Sequence, residues 1–401
     1  MSFKREAKEN FPAWPIYDKS EVDALKKVVT SGKWWCGAPG LHQGENVWRF
    51  QEQFAKFQGA KHCVAVFNGT VAIEVSLLAL GIGLGDEVIV SDYTFVASAS
   101  AVVATNAVPI FCDINPNTLV MDVNKVEDLI TERTRAIIPV HLGGNPVEMD
   151  KLIEIADKYN LKVVEDCAHA HRSKYQGKYV GNWGHAGAFS FQASKVLTAG
   201  EGGAIITNDD VLADLMYSIS DCGRKKNEYG YSHYIYGTNY RMSEYQAAVL
   251  LEQMKKFPDQ HKLRNENAKY FMEKLNAIDG IRVMKPTPGT EELGYYVYPI
   301  VFEPEKFGGI TRIEFYKKLN RNGIPTDDCY PPLHGLHCFK NVDLRKGIDY
   351  SDANWGGEKS GDKNFPIVSD IYSRSIEFPH EMLLASKNKL DDVVDFIKGL
   401  K

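Results

Sequence analysis

Hydrophobic and polar positions follow a regular alternation over the first half of the chain. From about Glu21 to Thr207, short β-branched runs alternate with amphipathic stretches, which is typical of strand–helix–strand units. The predicted strands are Cys63–Val66, Glu87–Ser91, Val108–Cys112, Ala136–His141, Lys162–Glu165, Ala188–Phe191 and Ala204–Thr207, and the predicted helices between them are Val71–Leu80, Ala97–Ala104 and Lys151–Tyr159. The run from Ala136 to Val140 is apolar on both faces, which suits a strand covered by helices on both sides. This pattern predicts an α/β domain with a mostly parallel central sheet.

The pattern changes after about Phe257. A helix with Leu263, Phe271, Met272 and Leu275 on one side is followed by the aromatic strand Tyr295–Tyr298, a helix near Thr311–Asn320 and a final helix near Asn388–Lys398. We therefore predict two domains: a large cofactor-binding domain over residues 1–256, which includes an N-terminal segment, and a smaller C-terminal α+β domain over residues 257–401.

Composition and charge narrow the class of protein. The chain has 401 residues, 44% of them hydrophobic and 25% charged, and a formal net charge of -5. These values are ordinary for a cytosolic enzyme. The densest basic run, Arg224–Lys226, is short and is soon followed by Glu228, so we expect no nucleic-acid partner.

Cysteine spacing and the N-terminus favour a cytoplasmic location. The seven cysteines are odd in number, far apart and without a C-x-x-C pair, which argues against a disulfide framework and against a structural zinc site. The first fifteen residues contain no apolar stretch of the signal-peptide type, and no window approaches the roughly 18 apolar residues of a membrane span. We expect no membrane partner and no metal.

Two charged residues follow predicted strands at positions suited to chemistry. Asp166 lies just past an apolar strand, where open α/β sheets place ligand-binding groups. A carboxylate there can pair with a protonated pyridine nitrogen and keep that ring an electron sink. Lys195 follows the next strand, where a desolvated amine could form a Schiff base and carry protons.

A candidate phosphate site accompanies these two residues. The segment Asn68–Thr70 directly follows a predicted strand and opens a helix, so its backbone N–H groups and the helix dipole would face an anion. Ser190, five residues before Lys195, offers a hydroxyl to the same phosphate. Each signal is weak alone, but their order and spacing on one α/β domain predict a site for pyridoxal 5'-phosphate.

Sequence motifs over nearly the whole chain carry a family resemblance. They are Asn68–Thr70, Gly85–Ile89, Pro139–Leu142, Glu165–His169, Lys195, Gly200–Gly203 and Asn239–Ala248. With these motifs the chain resembles the DegT/DnrJ/EryC1/StrS family of sugar aminotransferases, which have the type I (aspartate aminotransferase-like) fold of pyridoxal-phosphate enzymes. The resemblance implies an aminotransferase that moves an amino group from glutamate or glutamine to a keto sugar or keto cyclitol by a ping-pong mechanism.

The resemblance also implies roles for individual residues. Lys195 would form the Schiff base with the cofactor, and Asp166 would pair with its pyridine nitrogen. Gly69, Thr70 and Ser190 would bind the phosphate. The remaining cofactor contacts would come from Phe95 stacking on the ring, His169 near the 3'-hydroxyl, and Asn239 reaching the phosphate of the neighbouring subunit. A homodimer with composite active sites is therefore expected.

Other positions bear on the substrate. Tyr330 and His334 resemble the segment that borders the substrate pocket in relatives, and His334 is a candidate ligand for a sugar hydroxyl. Arg172 occupies a place where the family usually has glycine, so it would alter the local backbone, add positive charge near the substrate, or lie solvated on the surface. The N-terminal segment from Phe11 to Tyr17 and the stretch from Phe189 to Gly203 resemble the branch that contains glutamine:scyllo-inosose aminotransferases and aminohydroxybenzoate synthases.

Two alternatives to an aminotransferase remain open and two are disfavoured. A lyase of the aminohydroxybenzoate synthase type would keep Lys195 and remains open. A non-catalytic regulator on the same scaffold is the second alternative, although it would be expected to lose Lys195, Asp166 or Ser190, and none of these is lost. A related sugar dehydratase would have histidine in place of Lys195, so Lys195 argues against it. The glycines of Gly81–Asp86 superficially resemble a dinucleotide fingerprint. Because a predicted helix precedes them and a strand follows, the order is the reverse of that fingerprint, which argues against a nicotinamide oxidoreductase.

Overall fold

A computed structural model describes residues 11–37, 44–226, 228, 231–340 and 364–401. The predicted N-terminal segment starts in residues 1–10 and the predicted second domain includes residues 341–363, and both stretches lie outside the described residues. The helices are α1 (Lys19–Ser31), α2 (Asn46–Gln58), α3 (Gly69–Ala79), α4 (Ala97–Ala104), α5 (Met149–Lys158), α6 (Asp210–Ser220), α7 (Glu244–Asn276), α8 (Arg312–Arg321), α9 (His337–Lys340), α10 (Pro366–Ser373) and α11 (Lys387–Lys398). The strands are β1 (His62–Val66), β2 (Glu87–Ser91), β3 (Val108–Cys112), β4 (Thr134–Ile138), β5 (Lys162–Asp166), β6 (Lys174–Tyr175), β7 (Lys178–Tyr179), β8 (Ala186–Ser190), β9 (Gly203–Thr207), β10 (Ile281–Val283), β11 (Thr290–Glu292), β12 (Val297–Phe302) and β13 (Ser375–Pro379).

The large sheet has the strand order β1-β9-β8-β5-β4-β2-β3. Its central pairs are parallel, whereas β9 runs antiparallel to both β1 and β8. Every residue of β2, β3, β8 and β9 is buried, as expected for strands covered on both faces. The predicted α/β fold with a mostly parallel central sheet is confirmed.

A smaller antiparallel sheet, β10-β12-β13, forms from the C-terminal part of the chain. The helix α7 precedes it and is 33 residues long, and it begins at a capping box between Ser243 and Gln246. This helix runs without interruption through residues 256 and 257, where the predicted domain boundary lies. A further small sheet, β11-β6-β7, joins Thr290–Glu292 of the C-terminal part to the hairpin that follows β5.

Strand ends determine where functional groups can meet. In the parallel pair β5 and β8, Asp166 lies opposite Ala188, so Asp166 and Ser190 end neighbouring strands at the same edge of the sheet. The turn that carries Lys195 follows β8 at this edge. None of the described helices is long and apolar enough to cross a membrane.

Candidate active site

A cavity of about 550 Å³ lies at this edge of the large sheet. Its lining includes eight of the ten residues that the sequence analysis assigned to the site: Gly69, Thr70, Phe95, Asp166, His169, Ser190, Lys195 and Tyr330. These residues come from five separate stretches of the chain. The fold therefore brings together most of the residues that the sequence singled out.

The start of α3 is packed tightly against the sheet. Asn68 caps this helix, and its Oδ1 accepts a hydrogen bond from Val71 N at 2.9 Å. A Cβ on Gly69 would lie 2.7 Å from Ser190 Cβ, and one on Gly203 would lie 2.2 Å from Asn68 O. Glycine is therefore required at both positions, and the close approach places the Ser190 hydroxyl beside the first turn of α3. Backbone N–H groups at a helix start next to a hydroxyl can bind a phosphate.

Two hydrogen bonds fix the carboxylate of Asp166, the last residue of β5. Its Oδ2 accepts from Ser98 Oγ at 2.6 Å, and its Oδ1 accepts from Ala168 N at 3.0 Å. Ser98 Oγ in turn lies 2.9 Å from Thr94 Oγ1. Because each carboxylate oxygen can accept more than one hydrogen bond, Asp166 keeps the capacity to bind a cationic ring nitrogen in the cavity.

Lys195 is buried, with 8% of its surface exposed. Burial lowers the pKa of its amine from the usual 10.5 to about 7, although the charges of Asp166 and Glu377 act in the opposite direction. The amine Nζ lies 3.8 Å from the centroid of the Tyr296 ring. A substantial fraction of this amine is therefore unprotonated at neutral pH and able to attack a carbonyl carbon.

His169 and two tyrosines form one wall of the cavity. Burial is the main reason why the pKa of His169 lies well below its usual range, and the nearby Lys195 charge acts in the same direction. The His169 Nδ1 accepts from Gly143 N at 3.3 Å, so its proton lies on Nε2, which is 3.4 Å from Tyr330 Oη. The centroid of the His169 ring is 4.2 Å from that of Tyr296. The histidine is neutral and its proton is directed along this wall.

Phe95 lies on another part of the lining and is 52% exposed. Its ring centroid is 5.9 Å from that of Tyr330. A large aromatic side chain that is half exposed within a cavity offers a free face to a flat ligand.

Asn239 and His334 are not among the lining residues of this cavity. Asn239 is exposed and pairs with Asp221 in an isolated β-bridge. His334 is buried, with its Nδ1 2.5 Å from Asp92 Oδ2 and its backbone N donating to Asp92 Oδ1 at 2.8 Å. This contact ties the segment after Tyr330 to the loop that follows β2.

Arg172 keeps the backbone conformation for which glycine is favoured. Its φ is 62°, in the left-handed region, and its Nη1 donates to Phe57 O at 2.5 Å. The guanidinium carbon lies 3.9 Å from the centroid of the Tyr179 ring. The left-handed conformation that glycine favours is retained, so the structure does not support an altered local backbone at Arg172; the side chain binds the end of α2 and does not line the cavity.

Several lining residues were missed by the sequence analysis as site residues: Thr94, Ser98, Gln192, Ser194, Glu201 and Tyr296. For Ser98 a signal was available, because a buried hydroxyl in the largely apolar helix α4 needs a partner, and Asp166 supplies it. Tyr296 was assigned to an aromatic strand, but that strand begins one residue later, at Val297.

One group of side chains in the described part of the chain has the composition of a metal site: His141, Glu165 and Cys167. The ring nitrogens of His141 and the carboxylate of Glu165 already have hydrogen-bond partners. His141 Nδ1 accepts from Val147 N at 3.1 Å and its Nε2 lies 3.0 Å from Glu165 Oε2. Glu165 also accepts three backbone N–H groups from the segment Gly181–Gly184. We interpret the group as a structural network that orders the loop before β8.

Comparison with known proteins identifies a family. Residues 15–398 match the DegT/DnrJ/EryC1/StrS aminotransferase family. An L-glutamine:2-deoxy-scyllo-inosose aminotransferase from Streptoalloteichus tenebrarius is 36% identical, with 96% of this chain and 92% of the relative covered. An L-glutamine:2-deoxy-scyllo-inosose aminotransferase from Streptomyces kanamyceticus is 39% identical, with 98% of this chain and 94% of the relative covered.

Solved structures show the same architecture. The crystal structure of 3-amino-5-hydroxybenzoic acid (AHBA) synthase superposes with a TM-score of 0.87 at 30% identity, covering 98% of this chain and 99% of the other. A DegT/DnrJ/EryC1/StrS aminotransferase from Brucella abortus superposes with a TM-score of 0.80 at 30% identity, with 95% of each chain covered.

Proposed function

Because this chain belongs to the DegT/DnrJ/EryC1/StrS aminotransferase family, we propose that it uses pyridoxal 5'-phosphate to transfer an amino group from glutamine or glutamate to a keto cyclitol or keto sugar. The observation that carries this proposal is the shared cavity of Lys195, Asp166 and the start of α3. A buried amine, a carboxylate and an anion-binding helix end match the aldehyde, the ring nitrogen and the phosphate of this cofactor.

The lining residues have the chemistry to hold the cofactor. We assign the phosphate to Gly69, Thr70 and Ser190, the ring nitrogen to Asp166, and the aldehyde carbon to Lys195. Phe95 offers its exposed face to the ring, and His169, in the wall that it forms with the two tyrosines, would meet the 3'-hydroxyl. When bound, pyridoxal 5'-phosphate supplies an aldehyde that condenses with amines and a ring that withdraws electrons from a bond being broken.

Lys195 would carry the proton in each half-reaction. With a pKa of about 7, its amine can accept a proton from the α-carbon of the amino donor and release it again at neutral pH. Asp166, held by Ser98 and Ala168, would keep the ring nitrogen cationic throughout. The same sequence of proton movements in reverse, with the ketone as partner, completes a ping-pong cycle.

The proposed substrate class rests on the relatives and on the remaining lining. Relatives at 36% and 39% identity are named for glutamine and 2-deoxy-scyllo-inosose, a cyclic polyhydroxylated ketone. The lining of the cavity also includes Thr94, Gln192, Ser194 and Glu201, whose polar side chains are suited to hydroxyl groups. We propose Tyr330 as a further substrate contact at the cavity wall. For His334 we propose an indirect role, through the segment that it anchors to Asp92.

We also propose a homodimer in which Asn239 serves the neighbouring subunit. Asn239 is exposed, and so are Tyr231, Tyr234 and Tyr236 on the preceding segment, with Tyr236 at 94%. Aromatic residues exposed together are typical of a surface covered by a partner. A second copy that covers this segment would bring Asn239 to the other subunit's phosphate site.

The first experiment tests the covalent role of Lys195. We expect the purified protein to develop visible absorbance with pyridoxal 5'-phosphate, and borohydride reduction to leave the cofactor on the peptide that contains Lys195. The Lys195→Ala variant should lose the absorbance, whereas Lys26→Ala, on an exposed position of α1, should keep it. Visible absorbance that survives Lys195→Ala unchanged would contradict the proposal.

A half-reaction screen tests the substrates. The loaded enzyme is treated with L-glutamine or L-glutamate until the absorbance changes, and inososes or keto sugars are then added one at a time. Return of the original band identifies the accepted ketone. An aromatic amine formed from an amino-dehydroquinate-like compound would instead favour the lyase alternative, which the similarity to AHBA synthase keeps open.

A further inference from the structure

The amine of Lys195 lies over the ring of Tyr296. Nζ lies 3.8 Å from the centroid of the ring. Among the residues that the structure describes, Nζ makes no hydrogen bond or ion pair. An ammonium over an aromatic face is stabilised by the electrons of the ring, and more strongly where water is excluded. The amine of Lys195 is therefore in contact with the face of the Tyr296 ring.

The ring of Tyr296 is itself held in place from two sides. Its hydroxyl lies 2.8 Å from Ser194 Oγ, next in sequence to Lys195, and Ser194 Oγ also donates to Gln192 Oε1 at 2.7 Å. On the other side, the centroid of this ring is 4.2 Å from the centroid of the His169 ring. The ring and the turn that carries the lysine are thus tied to each other.

The backbone before Tyr296 explains why the ring cannot easily move away. A Cβ on Gly294 would lie 2.6 Å from His169 O, so this loop is in close contact with the segment after β5. Tyr295 follows in the left-handed conformation, with a φ of 49°. Tight packing and a constrained turn together direct Tyr296 into the cavity.

We propose that Tyr296 is a positioning residue for Lys195: its ring face holds the protonated amine whenever the lysine is not covalently engaged, and its bond to Ser194 fixes where that face lies. This inference rests on the proposed function, in which Lys195 accepts a proton at Nζ and releases it within each half-reaction. Lysine side chains are flexible, so a fixed resting place shortens the search for the reacting carbon.

The other described groups near the amine do not hold it in this position. Asp166 and Glu377 favour the ammonium through their charge, but neither makes a described ion pair with it. His169 and His171 are neutral, since burial lowers the pKa of both. Burial raises the pKa of Tyr330 and of Tyr296, so both phenols are neutral as well. A change confined to the ring of Tyr296 leaves these charges as they are.

The test measures the pKa of the Lys195 amine directly. Full-length protein without cofactor is labelled with trace acetic anhydride at a series of pH values, and the Lys195 peptide is quantified by mass spectrometry against exposed Lys26. We expect a midpoint near 7 for the unaltered protein. Tyr296→Phe should shift that midpoint less than Tyr296→Leu does, because the aromatic face remains and only the bond to Ser194 that fixes its position is lost. Tyr296→Leu should lower it by about one pH unit, because only the ammonium loses its partner.

Controls separate this effect from general damage. Tyr270→Leu makes the same change at a tyrosine on α7 that bonds to Asp391, and it should leave the Lys195 midpoint unchanged. Tyr296→Met serves if the leucine variant does not fold. A midpoint in the leucine or methionine variant that equals or exceeds that of the unaltered protein would overturn the inference. Failure of the proposed function shows separately, as absence of cofactor on Lys195 in the unaltered protein.

Discussion

Arg172 shows how a single residue can depart from a family pattern without changing the backbone. A left-handed conformation costs a residue with a Cβ roughly 1–2 kcal/mol relative to glycine. Here the guanidinium contacts the Tyr179 ring and the Phe57 carbonyl, and these contacts offset part of that cost. The sequence revealed the departure but not these contacts, because Phe57 is 115 positions away in the chain.

We predict that Arg172→Gly is more stable than Arg172→Ala by about 1 kcal/mol. Both variants lose the contacts of the guanidinium, but only alanine keeps the strained φ of 62°. The difference in free energy of unfolding, measured by denaturant titration under the same conditions, isolates the strain. Equal stability of the two variants, or a more stable alanine variant, would show that the backbone relaxes.

At the level of single residues, the sequence was sufficient to predict those site residues whose positions follow from the ends of the strands. Asp166, Ser190 and Lys195 each end or follow a strand, and their spacing alone predicted a shared location. His334 and Tyr296 could not be assigned in this way. Their neighbours, Asp92 and Lys195, are about 100 or more positions away, and only the packing of the C-terminal part on the large sheet brings them together.

Helices and strands were predictable where apolar runs are bounded by turns. β2, β3 and α4 have the predicted bounds, whereas the strand predicted to reach His141 ends at Ile138. Beyond Ile138 the chain turns, and Val140 makes only an isolated bridge with Asp166. The reversal of β9 between β1 and β8 was not predicted, because strand direction depends on tertiary contacts and not on hydrophobic pattern.

The turn that carries Lys195 is held by two elements from opposite ends of the chain. Trp14 Nε1 donates to Ala193 O at 3.1 Å, and His380 Nε2 lies 3.0 Å from Ser194 O. The ring centroids of Trp14 and His380 are 4.4 Å apart, in an edge-to-face arrangement. The N-terminal segment and the region after β13 therefore support the same turn.

We predict that Trp14→Phe weakens cofactor binding about two- to tenfold, because one hydrogen bond that fixes the turn is lost while most of the packing remains. Titration of the visible absorbance with pyridoxal 5'-phosphate measures the dissociation constant. Trp34→Phe is the matched control, since Trp34 Nε1 also donates to a backbone carbonyl, that of Val29, on the exposed end of α1. Equal affinity in the two variants would argue that Trp14 does not support the site.

For the whole molecule, the sequence predicted the α/β architecture and a second unit after residue 256. In the structure α7 continues through that position and connects the two sheets as one helix of 33 residues. Contacts such as that of Asp92 with His334 join the C-terminal part to the edge of the large sheet where the cavity lies. The cavity wall is consequently built from both parts of the chain, with Tyr296 and Tyr330 from the second.

The proposed composite site predicts complementation between two inactive variants. Lys195→Ala removes the amine, and Asn239→Ala removes a contact that we assign to the neighbouring subunit. If Asn239 acts across the interface, a mixed dimer contains one site with both residues intact and one site with neither. Coexpression of the two variants should then restore roughly a quarter of the original activity per subunit, because half of the dimers are mixed and each mixed dimer has one working site.

If Asn239 instead served its own subunit, every site in the mixed dimer would lack one residue. The activity of the mixture would in that case not exceed the average of the two parents, measured as turnover of glutamine with an accepted ketone.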